Sequence, residues 1–491
     1  MALSARRISS PTGARAVVSM VAVALLCGHR IDADAAEPPT TPVASALLRE
    51  PLTIAGAGPS AAMTLDQALS FARAHQPALR SALARVSAAA ADTKIARAQW
   101  FPALGITAQA FEGTANNTTA SYVGAPRVDL PRIGGTRVAS TGTWAPSTSM
   151  LAAAGVGQEV FDFGRIAAQA AVADTAYEGE RFRADSERLR IDLLVRETYF
   201  GVQGAHAVLR AAEDAYRRAQ VHRDMAAAVV KSGLHEPIEL TRAEADLSRF
   251  DVGRIRAVGS LRTAQAAFAA AVGVEERLLD AAGQAPATGA VPPLEQGLRQ
   301  AADRDPRLAE ARARGRFADA LTRAIGAEMR PDVALTATFS GRAGTATPSS
   351  GSLSDSYGPL PLVPNWDVGL VLRWPLYDPV VAARRDAAAS RAEVARAELS
   401  VLSQQETAAV QQAYVSFEVN QAAVVSLQQT VDAARANYAQ AEARFKAGLG
   451  TSLELADAEA LRTDAEIQLA VGQFEAQRGR AVIGRLIAEG L

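Results

Sequence analysis

The longest uninterrupted pattern in the chain is helical. From about Asp378 to Lys446, some 69 residues hold no glycine, and their only proline is Pro379 at the start, where a helix tolerates one. Within this run Val410, Phe417, Val424, Val431, Tyr438 and Phe445 recur every seven residues. Three residues after the first five stand Ala413, Asn420, Leu427, Ala434 and Ala441. That spacing is a heptad seam with one side of smaller residues. At 1.5 Å per residue such a helix extends about 100 Å, whereas a compact chain of 491 residues has a radius of gyration of about 23 Å. The pattern predicts an elongated molecule. A turn at Ala447-Gly448-Leu449-Gly450 and a return helix from Thr451 to about Ile487 make the run one arm of a hairpin.

The pattern occurs twice. A second long helix, from about Phe163 to Lys231, turns at Ser232-Gly233-Leu234 and returns over about Pro237–Val272. At an offset of 215, Val195, Val202, Leu209, Tyr216 and Val230 take the places of Val410, Phe417, Val424, Val431 and Phe445; Arg223, at the place of Tyr438, breaks the series. Upstream, two shorter helices at about 64–75 and 77–100 recur at about 293–304 and 306–329, with Leu65, Pro77 and Pro102 matched by Leu294, Pro306 and Pro331 at an offset of 229.

After Pro102 and Pro331 the period changes from helical to two. Val333, Leu335, Ala337 and Phe339 alternate with Ala334, Thr336, Thr338 and Ser340. Trp366, Val368, Leu370, Leu372, Trp374 and Leu376 alternate with Asp367, Gly369, Val371, Arg373 and Pro375. These are strands, with weaker counterparts at about Pro102–Gly113 and Met150–Phe163. Trp366 and Trp374 lie about 26 Å apart in an extended strand, close to the height of the apolar band of an outer-membrane barrel edged by aromatics. A soluble sandwich strand shows the same alternation. The loops at 114–149 and 341–365 are long, and rich in Gly, Ser, Thr and Pro. Four strands in one chain cannot close a barrel, so a membrane reading requires an oligomer; three chains would supply twelve strands.

Composition narrows the choices. The formal charge of −1 and the absence of a sustained basic run exclude nucleic acid as an expected partner. Abundant alanine and only 5% aromatics suit helices packed through small residues. Arg6, Arg7 and Arg15, the apolar run Ala16–Cys27 and Ala33-Asp34-Ala35 form a signal peptide pattern over residues 1–35. Cys27 as an acylated lipoprotein cysteine is the rival, with Leu26 where a small residue is expected. Residues 36–62 are expected as a flexible leader, 63–282 as a first structural repeat, 283–292 as a linker and 293–491 as a second repeat. No stretch after the signal segment is long and apolar enough for a membrane helix.

The layout resembles the TolC-type outer-membrane efflux proteins over about 63–489. The features that carry the resemblance are the double repeat, Phe161-Asp162-Phe163-Gly164-Arg165 at the strand-to-helix passage, and Arg444-Phe445-Lys446-Ala447-Gly448 followed by Thr451-Ser452-Leu453-Glu454. The resemblance implies an α+β membrane protein and a homotrimer in outer-membrane lipid. Its long helical hairpins form an α-barrel in the periplasm, and four strands per chain contribute to a twelve-stranded transmembrane β-barrel. It implies an exit duct for efflux or type I secretion that meets a periplasmic adaptor and an inner-membrane pump of RND, ABC or MFS type. Gly233, Leu234, Gly448 and Leu449 then form adaptor-contact tips, Trp366, Trp374 and Tyr377 an aromatic girdle, and Glu454 and Asp457 rings that constrict the pore. Some members carry a basic residue where this chain has Gly450, a link that glycine removes.

The residues themselves allow plainer roles. Thr451-Ser452-Leu453-Glu454 is a capping box, so Glu454 serves a helix start as readily as a pore ring. Asp457, one turn further in, has no capping role. Glu239 and Arg242 occupy the matching positions of the first hairpin, and Arg242 is placed to pair with Glu454 or Asp457 of a neighbouring helix. Gly233 and Gly448 suit left-handed helix ends. His75, His206, His222 and His235 lack metal-ligand spacing and are expected to be solvated; His235 sits where protonation would loosen a tip. No nucleophile elbow, P-loop or zinc motif is present, so no enzyme, cofactor or metal is expected. The rival from another class is a periplasmic coiled-coil scaffold, and a second rival is the same duct serving protein secretion alone.

Overall fold

A computed structural model of the chain describes residues 61–114, 124–125, 128–129, 146–233, 236–274, 278–283, 290–344, 363–447 and 449–490. The expected signal peptide with Cys27, most of the leader, much of the two long loops and part of the linker lie outside these residues. In chain order the elements are β1 (Ala61–Met63), α1 (Leu65–His75), α2 (Pro77–Ala98), β2 (Ala103–Thr114), the short β3 (Gly124–Ala125) and β4 (Val128–Asp129), β5 (Pro146–Phe161), α3 (Arg165–Lys231) and α4 (Pro237–Val272). Then come β6 (Leu279–Ala281), α5 (Leu294–Arg304), α6 (Pro306–Ala327), β7 (Asp332–Gly344), β8 (Val363–Arg373), α7 (Pro379–Lys446) and α8 (Ser452–Leu486).

The heptad seams face inward. Val195, Val202, Val410, Phe417 and Val431 are buried. Close approach of α7 and α8 depends on glycine: a Cβ on Gly472 would stand 2.6 Å from Leu427 Cδ1, and one on Gly479 3.5 Å from Phe417. Near the middle of the hairpins, α1, α3, α4 and β6 share a core of Leu69, Val195, Tyr199, Phe268, Val272 and Leu279. Ala301 of α5, Val410, Tyr414 and Phe417 of α7, Ile483 and Leu486 of α8 and the following Ile487 form the counterpart. Two equivalent tyrosines secure the ends of the segment between the halves: the Tyr199 hydroxyl donates to Ala282 O at 2.7 Å and that of Tyr414 to Pro292 O at 2.9 Å.

Parallel pairing of β1 with β6 was not foreseen. It places Ala61 and Ala62, expected as leader, in a strand; three-residue strands are too short to show a period.

The four-stranded sheet has the order β2-β5-β7-β8, antiparallel throughout. Its register aligns rows across all four strands. Ile106, Ala154, Phe339 and Trp366 form one row, and Leu104, Val156, Ala337 and Val368 the next. The rows of the opposite face are Gly105, Gly155, Thr338 and Asp367, then Ala103, Gly157, Thr336 and Gly369. The usual order is inverted: the apolar face is the exposed one, with Ile106 at 85% and Trp366 at 76%, whereas Thr338 and Ser340 are buried. The Thr338 hydroxyl donates to the Asp367 carboxylate on that inner face. Leaving several large side chains uncovered forgoes roughly 1.5–3 kcal/mol each in water, so this face needs an apolar surrounding.

Strand β8 ends at Arg373, earlier than the alternation suggested. Trp374, Leu376 and Tyr377 lie beyond it, exposed, in the passage to α7, where Pro375 has no N–H for a ladder. An aspartate guides the chain out of the sheet in each half. The Asp162 carboxylate accepts from Gly164 N at 2.9 Å and from Ile166 N, and Gly164 takes a left-handed φ of 90°. Asp378 accepts from Val380 N at 2.8 Å and Val381 N at 3.4 Å, ahead of Pro379. Both place negative charge at a helix N-terminus, where unpaired N–H groups favour it. Among the described residues no helix is long and apolar enough to cross a membrane.

Candidate functional site: the hairpin tips

The two hairpins end in different turns. In the first, Ser232 N bonds Ala228 O at 3.1 Å and Gly233 N bonds Val230 O at 3.0 Å, with Gly233 at a left-handed φ of 77°. Helix α4 then starts on Pro237 with no side-chain cap. In the second, Leu449 N bonds Arg444 O at 2.9 Å, and α8 starts under Thr451, whose Oγ1 accepts from Glu454 N at 3.2 Å. Gly233 and Leu449 are exposed at the turns; Leu234, His235 and Gly448 lie outside the described residues.

The expected capping box is half formed. At α1 it is complete, because Thr64 Oγ1 accepts from Gln67 N and Gln67 Oε1 accepts from Thr64 N. At α8 the Glu454 carboxylate instead stands 3.9 Å from Arg444 Nε, and Arg444 Nη2 donates to Leu449 O at 3.3 Å. Gly450 makes room for this: a Cβ there would lie 3.2 Å from Glu454 Oε2 and 3.3 Å from Arg444 Cβ. Arg444, at the end of α7, thus sets a positive charge beside the Glu454 carboxylate.

Asp457 is exposed one turn into α8 and forms no ion pair or hydrogen bond among the described residues. Glu454, Asp457, Leu461, Asp464 and Gln468 follow one another at helical spacing along the exposed face of α8. Arg242 pairs within α4, with Glu239 at 3.1 Å, and not with Glu454 or Asp457 of its own chain. Glu239 also accepts from the hydroxyl of buried Ser452, which joins α4 to the start of α8. The repeat places Glu239 at the tip, but its hydroxyl partner is 213 residues away and no local spacing marks it.

Behind the turns, a charged network ties the hairpins together. Arg218 of α3 donates from Nε to both oxygens of the buried Glu459 carboxylate at 2.9 and 2.8 Å. Thr463 Oγ1 donates to the same carboxylate at 3.1 Å. The Tyr438 ring lies between two guanidiniums, with Arg218 at 5.8 Å and Arg462 at 5.2 Å from its centroid. Glu466 accepts from Arg435 at 2.9 Å and Arg462 at 3.3 Å. Burial pushes the Tyr438 hydroxyl above its ordinary pKa, with nearby Glu459 and Glu442 adding to the effect, so it stays neutral.

His75 is exposed, as expected, but two other histidines are not simply solvated. His206 is hydrogen-bonded to Asp280 at 2.7 Å, and His222 is packed edge-to-face against Phe445 with ring centroids 5.0 Å apart. No sequence spacing marks either, because their partners come from distant elements. Among the described residues, no group of three or more His, Cys, Asp or Glu is placed to hold a metal ion.

A family model described as outer membrane efflux protein matches residues 68–274 and 297–484, one stretch in each half. The fold is similar to that of the outer-membrane channel OprN, at 22% identity and a TM-score of 0.68, over 87% of this chain and 90% of that one. It is also similar to the Campylobacter jejuni CmeC outer membrane channel, at 15% identity and a TM-score of 0.70, over 87% of this chain and 86% of that one. The open state of the Neisseria gonorrhoeae MtrE outer membrane channel matches at 19% identity and a TM-score of 0.66, over 87% and 89%. No curated protein sequence matches the chain. Double helical hairpins, a sheet with its apolar face outward and a family match covering both halves lead to one conclusion: this chain belongs to the outer membrane efflux protein family.

Proposed function

We propose that the chain is the outer-membrane exit duct of a tripartite efflux or type I secretion system, a passive conduit gated at its periplasmic helical tips. The sheet carries this reading. Its apolar face is the exposed one, and among the described residues β2 and β8 are each paired on one side only. Open edges are not viable in lipid. An even number of alternating strands per chain lets β8 of one copy meet β2 of the next antiparallel, and three copies close twelve strands head to tail. The apolar rows then face lipid, and Thr338, Ser340 and Asp367 face a wet interior.

The hairpins continue the duct as an α-barrel in the periplasm. The tips at Gly233-Leu234 and Gly448-Leu449 receive an adaptor, and a pump of RND, ABC or MFS type supplies the energy. Asp457, unpaired and exposed, contributes with Glu454 to an acidic ring at the mouth. The Glu239–Ser452 and Arg218–Glu459 contacts hold the closed state, and an adaptor that binds the splayed state better shifts the balance.

Fractionation and planar-bilayer recording test the reading. A detergent-requiring, heat-modifiable trimer with cation-selective conductance is the expected result; a fully soluble protein restores the scaffold alternative. Asp457→Ala is expected to relieve block by divalent cations, and an unchanged block removes Asp457 from the constriction.

A further inference from the structure

His222 lies behind the tips among charged and aromatic side chains. Its ring sits where all four hairpin helices meet, in a cavity of about 20 Å³ lined by Arg218 and Ala219 of α3, Asp246 and Phe250 of α4, Tyr438 of α7 and Glu459 of α8. That is room for about one water. Phe445 closes another side. Nε2 is sealed from solvent with no hydrogen-bond partner among the described residues.

We propose that His222 makes the tips a pH-sensitive gate, in which protonation of its ring loosens the packing of the first hairpin on the second. The proposal rests on the duct reading only for its consequence, the opening of the path; the loosening itself concerns packing. An imidazolium carries two N–H donors, and Nε2 has nothing to donate to. The groups that face it divide in sign. Arg218, one turn away on α3, opposes a second positive charge. Asp246 and the more distant Glu239 of α4 favour one. Tyr438 and Phe445 of α7 offer no carboxylate, and Glu459 of α8 is engaged by Arg218. Burial outweighs the two acids and holds the ring below its ordinary pKa. The sign follows: the packed state excludes the proton and the loosened state takes it up. Packing is therefore fully favoured above the ordinary histidine pKa, about 6.5, and weakens as pH falls from there toward the depressed value. One excluded proton per chain shifts the balance by up to about tenfold for each pH unit in that window.

Amide hydrogen exchange over residues 215–231, corrected for intrinsic rates, reads the packing directly at pH 7.5 and 5.5, with bilayer conductance recorded in parallel. In the wild type, protection is expected to fall several-fold at pH 5.5 and open probability to rise. In His222→Phe, which fills the same space without titrating, both should become independent of pH. His222→Gln serves where the phenylalanine variant does not assemble. Either substitution that keeps the wild-type pH response overturns the proposal, as does a wild type with no response. If exchange follows the expected pattern but no conductance appears at any pH, the switch stands and the duct reading fails. Conductance with pH-independent exchange removes the switch alone.

Discussion

Equivalent positions of the two hairpins, 215 residues apart, have different surroundings. Arg218 of α3 corresponds to Ala433 of α7, and buried Glu459 of α8 to exposed Glu244 of α4. His222 is packed at the junction of four helices, whereas its counterpart Asn437 is exposed. Glu239 is held by Ser452 and Arg242; its counterpart Glu454 faces Arg444, and Asp457 stands where the first hairpin has Arg242. The shared features, helix length and heptad seam, are those each hairpin needs for itself. The differing residues are those through which one hairpin touches the other or meets the solvent. Two similar rods thus carry different residues on the faces through which they pack, and form an asymmetric pair.

The largest effect that would break this comparison lies at the inter-hairpin pair. Arg218→Met leaves the Glu459 carboxylate buried with only Thr463, at a cost of roughly 3–5 kcal/mol, seen as a lower temperature of subunit unfolding. Glu244→Gln at the exposed equivalent should stay within about 0.5 kcal/mol. Equal losses at both sites would show that the asymmetry carries no energy.

Packing inside the hairpins offers the next test. Gly472 lies beneath Leu427, while the matching positions of the first hairpin hold Ala257 and Ala212, both buried. Gly472→Ala should cost roughly 1–3 kcal/mol by overpacking. Adding Leu427→Ala, which restores the alanine pair of the first hairpin, should recover much of the loss. A double variant as unstable as the single one would show that the two seams are not interchangeable solutions.

Caps separate the turns more mildly. Thr451→Ala removes the N-cap of α8 and should cost about 0.5–2 kcal/mol, measurable as faster amide exchange in the first turn of that helix. The first turn relies on Pro237 and has no side-chain cap to lose. The smallest stability effect is expected at Asp457, where Asp457→Asn should leave unfolding within about 0.5 kcal/mol.

The hairpins were legible in the sequence because a heptad seam repeats over nine or ten turns, and a long pattern survives local exceptions such as Arg223. The sheet was legible from the alternation around Phe339 and Trp366, although its end was read too late, at Leu376, because Trp374 continues the alternation past a proline that stops the ladder. The β1–β6 pair was not legible, having three residues on each side. At the site, the positions of Glu239, Glu454 and Asp457 followed from the repeat, but the bonding of the first two did not. Glu454 turned from a capping role toward Arg444, and Arg242 chose Glu239, one turn away in its own helix.

Pattern along the chain determined what each segment does locally: which faces of a helix are apolar, where a strand alternates, where glycine and proline interrupt. These properties depend on spacings of a few residues, and the periods of helix and strand express them directly. Tertiary structure alone decided which faces meet. Arg218 and Glu459 are 241 residues apart, and no local period relates them. The surroundings of His222 come from four helices at once, so its partial burial, its unpartnered Nε2 and the acid sensitivity proposed for it arise only when the hairpins pack together.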